Sequence, residues 1–188
     1  MKKLIAEQVS VYRRTNVVKS EKFSEIMQRA INAYLNGMLT NEEVIEEMLK
    51  LAKQIAADQK EGEQLGLTAD ELAFYDALTK PQAIKDFYEN EKLIAITKEL
   101  ADTLRKNKTI DWQRRESARA KMRMLIKKLL KKHKYPPEGM DDAVQTVMTQ
   151  CELWTDNYHF GEDYKVYLNI NFTKENLSLV AEEKGKYN

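Results

Sequence analysis

The sequence predicts a mainly α-helical fold, a compact multi-helix domain with antiparallel helical hairpins and a short extended or β tail. Its 188 residues include only six Gly and three Pro, so few positions break a helix. Apolar residues recur at three- and four-residue spacing through most of the chain, which indicates amphipathic helices. Because 43% of the residues are hydrophobic, the chain can bury one core. We therefore expect one domain, with helices over residues 1–156 and a variable tail over residues 157–188.

The first two predicted helices form a hairpin. Apolar positions at helical spacing predict a helix over residues 20–35, with its first residue as the N-cap and Gly37 as the residue that ends it. Thr40 and Glu43 have the spacing of a capping box, so a second helix is expected to begin there and to continue through Ile55. The loop between the two helices is short, which makes them antiparallel neighbours.

Four further helices are expected after a polar break at residues 58–66. Thr68 and Glu71 repeat the capping-box spacing, and the short helix that they open is expected to stop near Pro81. The next helix is predicted from Leu93, Ile96, Leu100 and Leu104, which are three or four residues apart. A strongly basic helix follows within residues 111–137. The last helix is predicted from Ala143, Val144, Val147, Met148 and Cys151.

The tail has a different period. Five apolar residues alternate strictly with other residues, which is typical of a half-buried strand: Tyr164, Val166, Leu168, Ile170 and Phe172. The sequence contains no second strand of comparable quality, and a lone strand is not stable. Three arrangements remain open for this segment: pairing with an extended piece near residues 12–18, an ordered arm on the helices, or pairing with another chain.

Positive charge is concentrated in residues 105–134. This segment has thirteen Lys or Arg and two acids, Asp111 and Glu116, so its net charge is +11, whereas the whole chain carries +1. An apolar stripe within the segment, from Ala118 to His133, is expected to face the core and to turn the cations outward together. Such a face is typical of proteins that bind a polyanion, with nucleic acid as the first candidate.

We predict that this cationic face contacts nucleic acid. The residues predicted to make the contact are Arg114, Arg115, Arg119, Arg123, Lys127, Lys128, Lys131 and Lys132. No helix-turn-helix, zinc-finger or RNA-binding aromatic signature accompanies them, so contacts to phosphates rather than to bases are expected. The alternative is a solvated face that the acidic residues at positions 42–47 neutralise.

No catalytic, cofactor or metal site is predicted in this chain. The six glycines form no phosphate-binding loop, and there is no G-x-S-x-G nucleophile motif. Cys151 and His159 lack the other ligands of a zinc site, and both Cys151 and His133 fall on apolar stripes, so core packing is expected for them. Core packing is also expected for Trp112 and Trp154. A single cysteine fits a reducing cytoplasm, and no run of about eighteen apolar residues is present to span a membrane.

Three segments resemble the C-terminal region of the motor and endonuclease subunit of type I restriction-modification enzymes. They are residues 16–37 (NVVKSEKFSEIMQRAINAYLNG), 67–78 (LTADELAFYDAL) and 111–137 (DWQRRESARAKMRMLIKKLLKKHKYPP). The resemblance covers about residues 10–155. It is most specific in the third segment, where a tryptophan, an Arg-Glu pair, mixed basic and apolar positions and a Tyr-Pro-Pro follow in order.

The resemblance implies an accessory domain of a much larger chain, an ATP-dependent DNA translocase and type I site-specific deoxyribonuclease. The hydrolytic chemistry, ATP and Mg²⁺ are expected in upstream domains, so this fragment itself is not expected to be an enzyme or to bind a cofactor. The implied partners are duplex DNA, the methyltransferase and specificity subunits, and the upstream domains of its own chain. The alternative is a purely protein–protein docking module whose basic helix meets an acidic partner surface. A nucleic-acid enzyme in its own right is a third class, which the missing motifs argue against.

Overall fold

The computed structural model describes residues 2–109 and 111–157, and these residues form helices joined by short loops. No strand occurs among them, so the predicted mainly α-helical fold is confirmed. A 3₁₀ turn at Trp112–Arg114 precedes the seventh α-helix. In chain order the α-helices are α1 (Lys2–Thr15), α2 (Val17–Leu35), α3 (Asn41–Leu65), α4 (Ala69–Thr79), α5 (Gln82–Phe87), α6 (Asn90–Asn107), α7 (Glu116–Lys132) and α8 (Pro137–Asn157).

Residues 12–15 belong to α1 and residues 17–18 to α2, so the segment offered as an extended partner for the tail, in one of the three arrangements left open, is helical instead. Ile5, Val9 and Tyr12 lie on one face of α1 and are buried. The burial of this apolar face packs α1 against the rest of the domain. Asn16 separates α1 from α2, and its side chain accepts a hydrogen bond of 3.0 Å from the backbone N–H of Lys19. The N-cap of α2 is therefore Asn16, four residues before the predicted cap.

Both predicted capping boxes are present. The backbone N–H of Thr40 donates to Glu43 over 2.8 Å at the start of α3, and the corresponding distance from Thr68 to Glu71 at the start of α4 is also 2.8 Å. Each threonine hydroxyl in turn accepts from the backbone N–H of its glutamate. These reciprocal bonds satisfy backbone groups that have no partner inside the helix, which fixes where each helix begins.

The polar break predicted at residues 58–66 is wrong, because α3 continues to Leu65 and ends only at Gly66. The polar residues of this stretch are mostly good helix formers, and they are polar because much of this part of α3 is exposed. Gly62 lies against α4, where an added Cβ would come within 2.9 Å of a Leu72 methyl carbon. Gly66 has φ of 62°, the left-handed conformation in which glycine commonly ends a helix.

The helices enclose two hydrophobic clusters. The smaller one lies between α1, α2 and α3 and is centred on residues such as Phe23 and Ile55. The larger one joins α4 to α8 and includes Trp112 and Leu130. Helix α4 is at its centre, since every residue from 72 to 79 is buried. Helix α7 packs on the outside of this cluster, against α6 and α8.

A buried polar cluster joins the two parts of the domain. Asp76 of α4 accepts a 2.6 Å hydrogen bond from Asn16 Nδ2, and its Oδ2 lies 3.5 Å from Lys19 Nζ. Burial raises the pKa of Asp76, while Lys19 and the Asn16 hydrogen bond act to lower it. Gln150 of α8 accepts from the Val17 backbone N–H at 2.9 Å and donates to the backbone carbonyl of residue 15 at 2.7 Å. The α1–α2 corner is thereby fixed to both α4 and α8.

Two further predictions concern the ends of the chain. The predicted strand at residues 164–172 lies outside the described residues. The boundary between a helical part and a tail at residues 156 and 157 stays a prediction. None of the helices in the described ranges is both long and apolar enough to cross a membrane.

Candidate nucleic-acid interface

The basic helix is shorter than the sequence predicted, because the chain between Asp111 and Arg115 is not α-helical. Asp111 has φ of 59°, and Arg115 is extended, so α7 begins only at Glu116. Trp112 holds the intervening 3₁₀ turn on the domain: its ring is fully buried, and its Nε1–H donates to Thr155 Oγ1 at 3.0 Å. The predicted core position of Trp112 is confirmed. Arg114 and Arg115 are consequently presented from a turn, and the other six predicted residues are presented from α7.

The apolar stripe of α7 faces the core as expected. Met122, Ile126, Leu129 and Leu130 are buried against α6 and α8. Leu125 and Ala118 are half-buried at the edge of this contact, which is less burial than the sequence indicated for Leu125. His133 is also half-buried, and its Nε2 lies 2.8 Å from Glu99 Oε2. The opposite side of α7 is left facing outward with its cations.

Three of the eight predicted DNA-binding residues form ion pairs within the domain. Arg119 binds the Glu152 carboxylate and also donates to the backbone carbonyl of residue 113. Lys127 Nζ lies 2.8 Å from the nearer carboxylate oxygen of Asp141, and Lys132 Nζ lies 2.6 Å from that of Glu99. The neutralising acids come from α6 and α8. The sequence-based alternative, in which acids at residues 42–47 neutralise this face, is wrong about the source of the acids.

Two of these ion pairs lower the pKa of the acid involved. The pKa of Asp141 is lowered by its hydrogen bond with Lys127 and by the charge of that lysine. The pKa of Glu99 is lowered by hydrogen bonds from Lys132 and His133. Lys127 and Lys132 are themselves well exposed, so water screens these pairs and they can exchange partners. Arg119 is more enclosed, and its contacts tie the start of α7 to the end of α8.

Five of the eight predicted residues have no acidic partner in the part of the chain that the structure describes. Within residues 2–109 and 111–157, no carboxylate oxygen lies within 4 Å of the side-chain nitrogens of Arg114, Arg115, Arg123, Lys128 or Lys131. Four of these five side chains are exposed and Arg123 is half-buried. Arg123, Lys127 and Lys131 follow at four-residue intervals, so they form a row about 12 Å long on one side of α7.

Sequence reasoning missed one residue of this surface and undervalued another. Met124 is exposed and lies among Arg123, Lys127, Lys128 and Lys131, so the outward side of α7 has an apolar centre within a cationic border. The spacing that placed neighbouring residues in the core could have shown that Met124 points away from it. Lys121 is also exposed on this helix, although it was not among the eight predicted residues. We call Arg114, Arg115 and the outward side chains of α7 the basic face.

The cations at the end of α6 belong to a different environment. Lys108 Nζ lies 4.3 Å from the centroid of the Trp154 ring, and the Arg105 guanidinium carbon lies 5.7 Å from it. Trp154 is buried, and its Nε1–H donates to Asp70 at 3.0 Å, so the predicted core position of Trp154 is confirmed. Burial raises the pKa of Asp70, and burial lowers the pKa of Lys108. The +11 segment is therefore divided between this cluster and the basic face.

Cys151 lies in the large hydrophobic cluster, as the sequence predicted. Its thiol is buried, and burial raises its pKa to about 12, so the reactive thiolate is not formed near neutral pH. Across the described ranges, no group of three or more His, Cys, Asp or Glu side chains is arranged to hold a metal ion. The chemistry that the site geometry offers is electrostatic contact with an anion by the basic face.

Comparison with known proteins assigns this architecture to a family. The model of the C-terminal region of type I restriction enzyme HindI endonuclease subunit-like proteins matches residues 1–157. The HindI endonuclease subunit of Haemophilus influenzae is 39% identical over 152 residues, which are 81% of this chain and 14% of that protein. A putative type I restriction enzyme MjaIXP endonuclease subunit of Methanocaldococcus jannaschii is 33% identical over 141 residues, 74% of this chain and 13% of that protein. This chain spans about one seventh of the length of these relatives. No solved structure matches it significantly.

Proposed function

The chain belongs to the family of C-terminal domains of type I restriction endonuclease subunits, and we propose that it contacts duplex DNA non-specifically through the basic face while docking the subunit on the methyltransferase and specificity subunits. The observation that carries the DNA contact is a group of cations on one side of the domain that have no acidic partner among the described residues. Burying a partner's charges against such a face is favourable only if the partner is anionic.

The structure narrows the set of residues proposed to bind phosphate. Arg114, Arg115, Arg123, Lys128 and Lys131 have no acid to compete with a phosphate among the described residues. Lys127 and Lys132 are exposed members of ion pairs and can exchange a carboxylate for a phosphate at little cost, because surface ion pairs contribute only about 0–1 kcal/mol. Arg119 is assigned a positioning role, since it ties α7 to Glu152 and to the 3₁₀ turn.

The contact is proposed to be with the DNA backbone. The basic face offers Lys and Arg side chains on one helix and one turn, and the sequence shows no helix-turn-helix or zinc-finger motif that would place a helix in a groove. Contacts to phosphates fix position and add affinity but carry no sequence information directly. A domain that contacts duplex DNA of any sequence needs this kind of contact.

The catalytic steps are assigned to other parts of the parent protein. ATP, Mg²⁺, translocation and phosphodiester cleavage belong to the upstream domains in this proposal, and the site of action is the cytoplasm. This fragment contributes assembly and DNA contact. The alternative retained from the sequence is a docking module whose basic face meets an acidic partner surface, without any DNA contact.

Charge reversal on the basic face distinguishes the two functions. The variant Arg123→Glu/Lys128→Glu/Lys131→Glu is introduced into the endonuclease subunit, and assembly with the methyltransferase and specificity subunits is followed on native gels with and without duplex DNA. If these residues contact DNA, the complex assembles normally but retains duplex less well, most visibly at raised salt. If they contact an acidic protein surface, assembly itself is lost, because like charges across an interface cost several kcal/mol. Normal assembly with normal retention would contradict both functions of the basic face.

A further inference from the structure

The tip of the α2–α3 hairpin is an exposed apolar surface. Leu35 and Met38 are 73% and 74% exposed, and Tyr34 and Ile45 are 41% and 40% exposed. These four are the majority of the large apolar side chains that are exposed in the described part of the chain. The other two, Phe87 and Met124, lie on α5 and α7. Single exposed apolar residues are ordinary, but a group at one place marks an interaction surface.

The hairpin holds this surface in a defined shape. Gly37 has φ of 69° and turns the chain after α2, and the backbone N–H of Met38 donates to the carbonyl of Ala33 at 2.8 Å. The capping box at Thr40 then fixes the start of α3. Since the chain at Met38 is hydrogen-bonded on one side and capped on the other, its side chain is displayed from an ordered turn.

The same hairpin is acidic. Residues 30–49 include four Glu and no Lys, Arg or His, while Arg13 and Arg29 line a hollow on the Met38 side and Lys50 pairs with Glu47. Glu42 and Glu46 are exposed and form no ion pair within 4 Å among the described residues, although Glu47 and, more weakly, Glu46 raise the pKa of Lys50, whereas Glu43 is used in the capping box. The acids at residues 42–47 favour a partner with cations facing them, whereas the basic face favours an anionic partner, so the two surfaces are suited to different partners.

We propose that the tip of the α2–α3 hairpin, formed by Tyr34, Leu35, Met38 and Ile45 with Glu42 and Glu46 beside them, is the surface that docks this domain on a partner protein chain. The occupant has an apolar centre bordered by Lys or Arg, and in the assembly proposed above it belongs to the methyltransferase–specificity core. This inference rests on the proposed docking function and names its surface. The basic face is thereby left free for DNA while the domain is docked.

A second copy of this chain is the competing occupant, because Met124 within its cationic border has matching chemistry. That contact would join the hairpin tip of one copy to α7 of the next. Such a head-to-tail contact does not close by itself and extends into a filament unless the rotation happens to form a ring. It would also cover the cations proposed for DNA. Both consequences favour a different protein chain as the occupant.

Substitutions at the tip test the proposal in the complete enzyme. The endonuclease subunit carries either Leu35→Glu/Met38→Glu or the control Phe87→Glu, which changes an apolar residue on α5 that is also exposed, at 62%. We expect the tip variant to raise the apparent Kd for assembly with the methyltransferase–specificity core at least tenfold, and the control less than twofold. Binding of duplex DNA by the endonuclease subunit alone should change less than twofold in both. Circular dichroism melts establish that each variant is folded.

A photo-crosslinker identifies the occupant directly and needs no destabilising change. Benzoylphenylalanine at position 38 should crosslink to the methyltransferase or specificity subunit in the assembled enzyme, and Glu42→Lys/Glu46→Lys should weaken that crosslink severalfold. Crosslinks to a second copy, to DNA or to nothing would overturn the proposal, as would normal assembly of the tip variant. The proposed DNA contact is tested separately, by the DNA retention of the basic-face variant. The tip variants leave the basic face unchanged, so the two proposals can fail independently.

Discussion

Removing one partner of the buried Lys19–Asp76 ion pair should strongly destabilise the domain. The two side chains are 5% and 9% exposed, and the charged atoms are 3.5 Å apart. At an effective dielectric constant near 20, unit charges at this distance attract by about 5 kcal/mol. In Asp76→Leu this attraction is lost and Asn16 Nδ2 loses its hydrogen-bond acceptor. Lys19 Nζ retains only its 3.1 Å hydrogen bond to the backbone carbonyl of Asp58. We expect the free energy of unfolding to fall by about 3–5 kcal/mol, because a buried charge is left uncompensated.

The matched control removes both charges. Lys19→Met/Asp76→Leu should have a stability equal to the wild type or up to a few kcal/mol higher, since a buried ion pair loses the hydration of both ions. Urea unfolding followed by far-UV circular dichroism measures both variants, and equal m-values would show that the unfolded states are comparable. A loss below about 1 kcal/mol in Asp76→Leu, or a double variant as unstable as the single one, would refute the argument.

The same pair gives a pH dependence with a definite sign. Burial raises the pKa of Asp76 above its ordinary 3.8, so the folded state binds its proton more tightly than the unfolded state. The stability that this group contributes is present below 3.8 and is lost as the pH rises through the raised folded-state pKa. The double variant lacks the group. Its stability relative to the wild type should therefore increase as the pH rises through that window, and a decrease would contradict the sign.

Two further predictions concern α7 and are checked by thermal melts. Leu129→Ala should lower the free energy of unfolding by about 2–5 kcal/mol because Leu129 is buried, and Leu125→Ala should lower it less because Leu125 is half-buried. Lys128→Ala should change it by no more than about 0.5 kcal/mol. Equal losses in all three variants would mean that the other side of α7 faces the core. Lys134→Gly should stabilise the domain by about 0.5–1 kcal/mol, because Lys134 has φ of 59°, a left-handed conformation that glycine adopts without strain. As a control, Lys131→Gly within the helix should destabilise it by about 1 kcal/mol. A destabilising effect of Lys134→Gly would contradict this explanation.

The parts of the fold that sequence reasoning predicted best are those determined by neighbouring residues. The starts of α3 and α4 follow from the side chains of Thr40 and Thr68, which bond to backbone groups three residues away. Helix α1 was not predicted although Ile5, Val9 and Tyr12 have helical spacing, and residues 12–18 were considered only in one of the three arrangements left open for the tail. The end of α3 was placed too early because a polar stretch can be either a loop or a solvent-facing helix, and only packing distinguishes them.

The candidate site was predictable as a concentration of charge but not as a set of free cations. The apolar stripe of α7 determines which side of the helix faces outward, and this orientation was predicted from the periodicity of the sequence alone. The pairs of Arg119 with Glu152 and of Lys132 with Glu99 join residues 33 positions apart, so no local pattern indicates them. The acids at residues 42–47 were evident in the sequence, but the exposed apolar group beside them was not, because the spacing that buries one side of α2 does not reveal how far Leu35 and Met38 extend beyond the core.

The salt dependence of duplex DNA binding tests the central claim most directly. The wild-type chain is compared with Arg123→Gln/Lys128→Gln/Lys131→Gln on the basic face. The control loses the same charge from exposed lysines of α3 and α6: Lys53→Gln, Lys60→Gln and Lys98→Gln. With five phosphate contacts, log K should fall with log salt at a slope of about −4 to −5, and the basic-face variant should reduce that slope by about 2.7 while the control changes it little. Salt-independent binding, or equal changes in both variants, would contradict the assignment of DNA contact to this face.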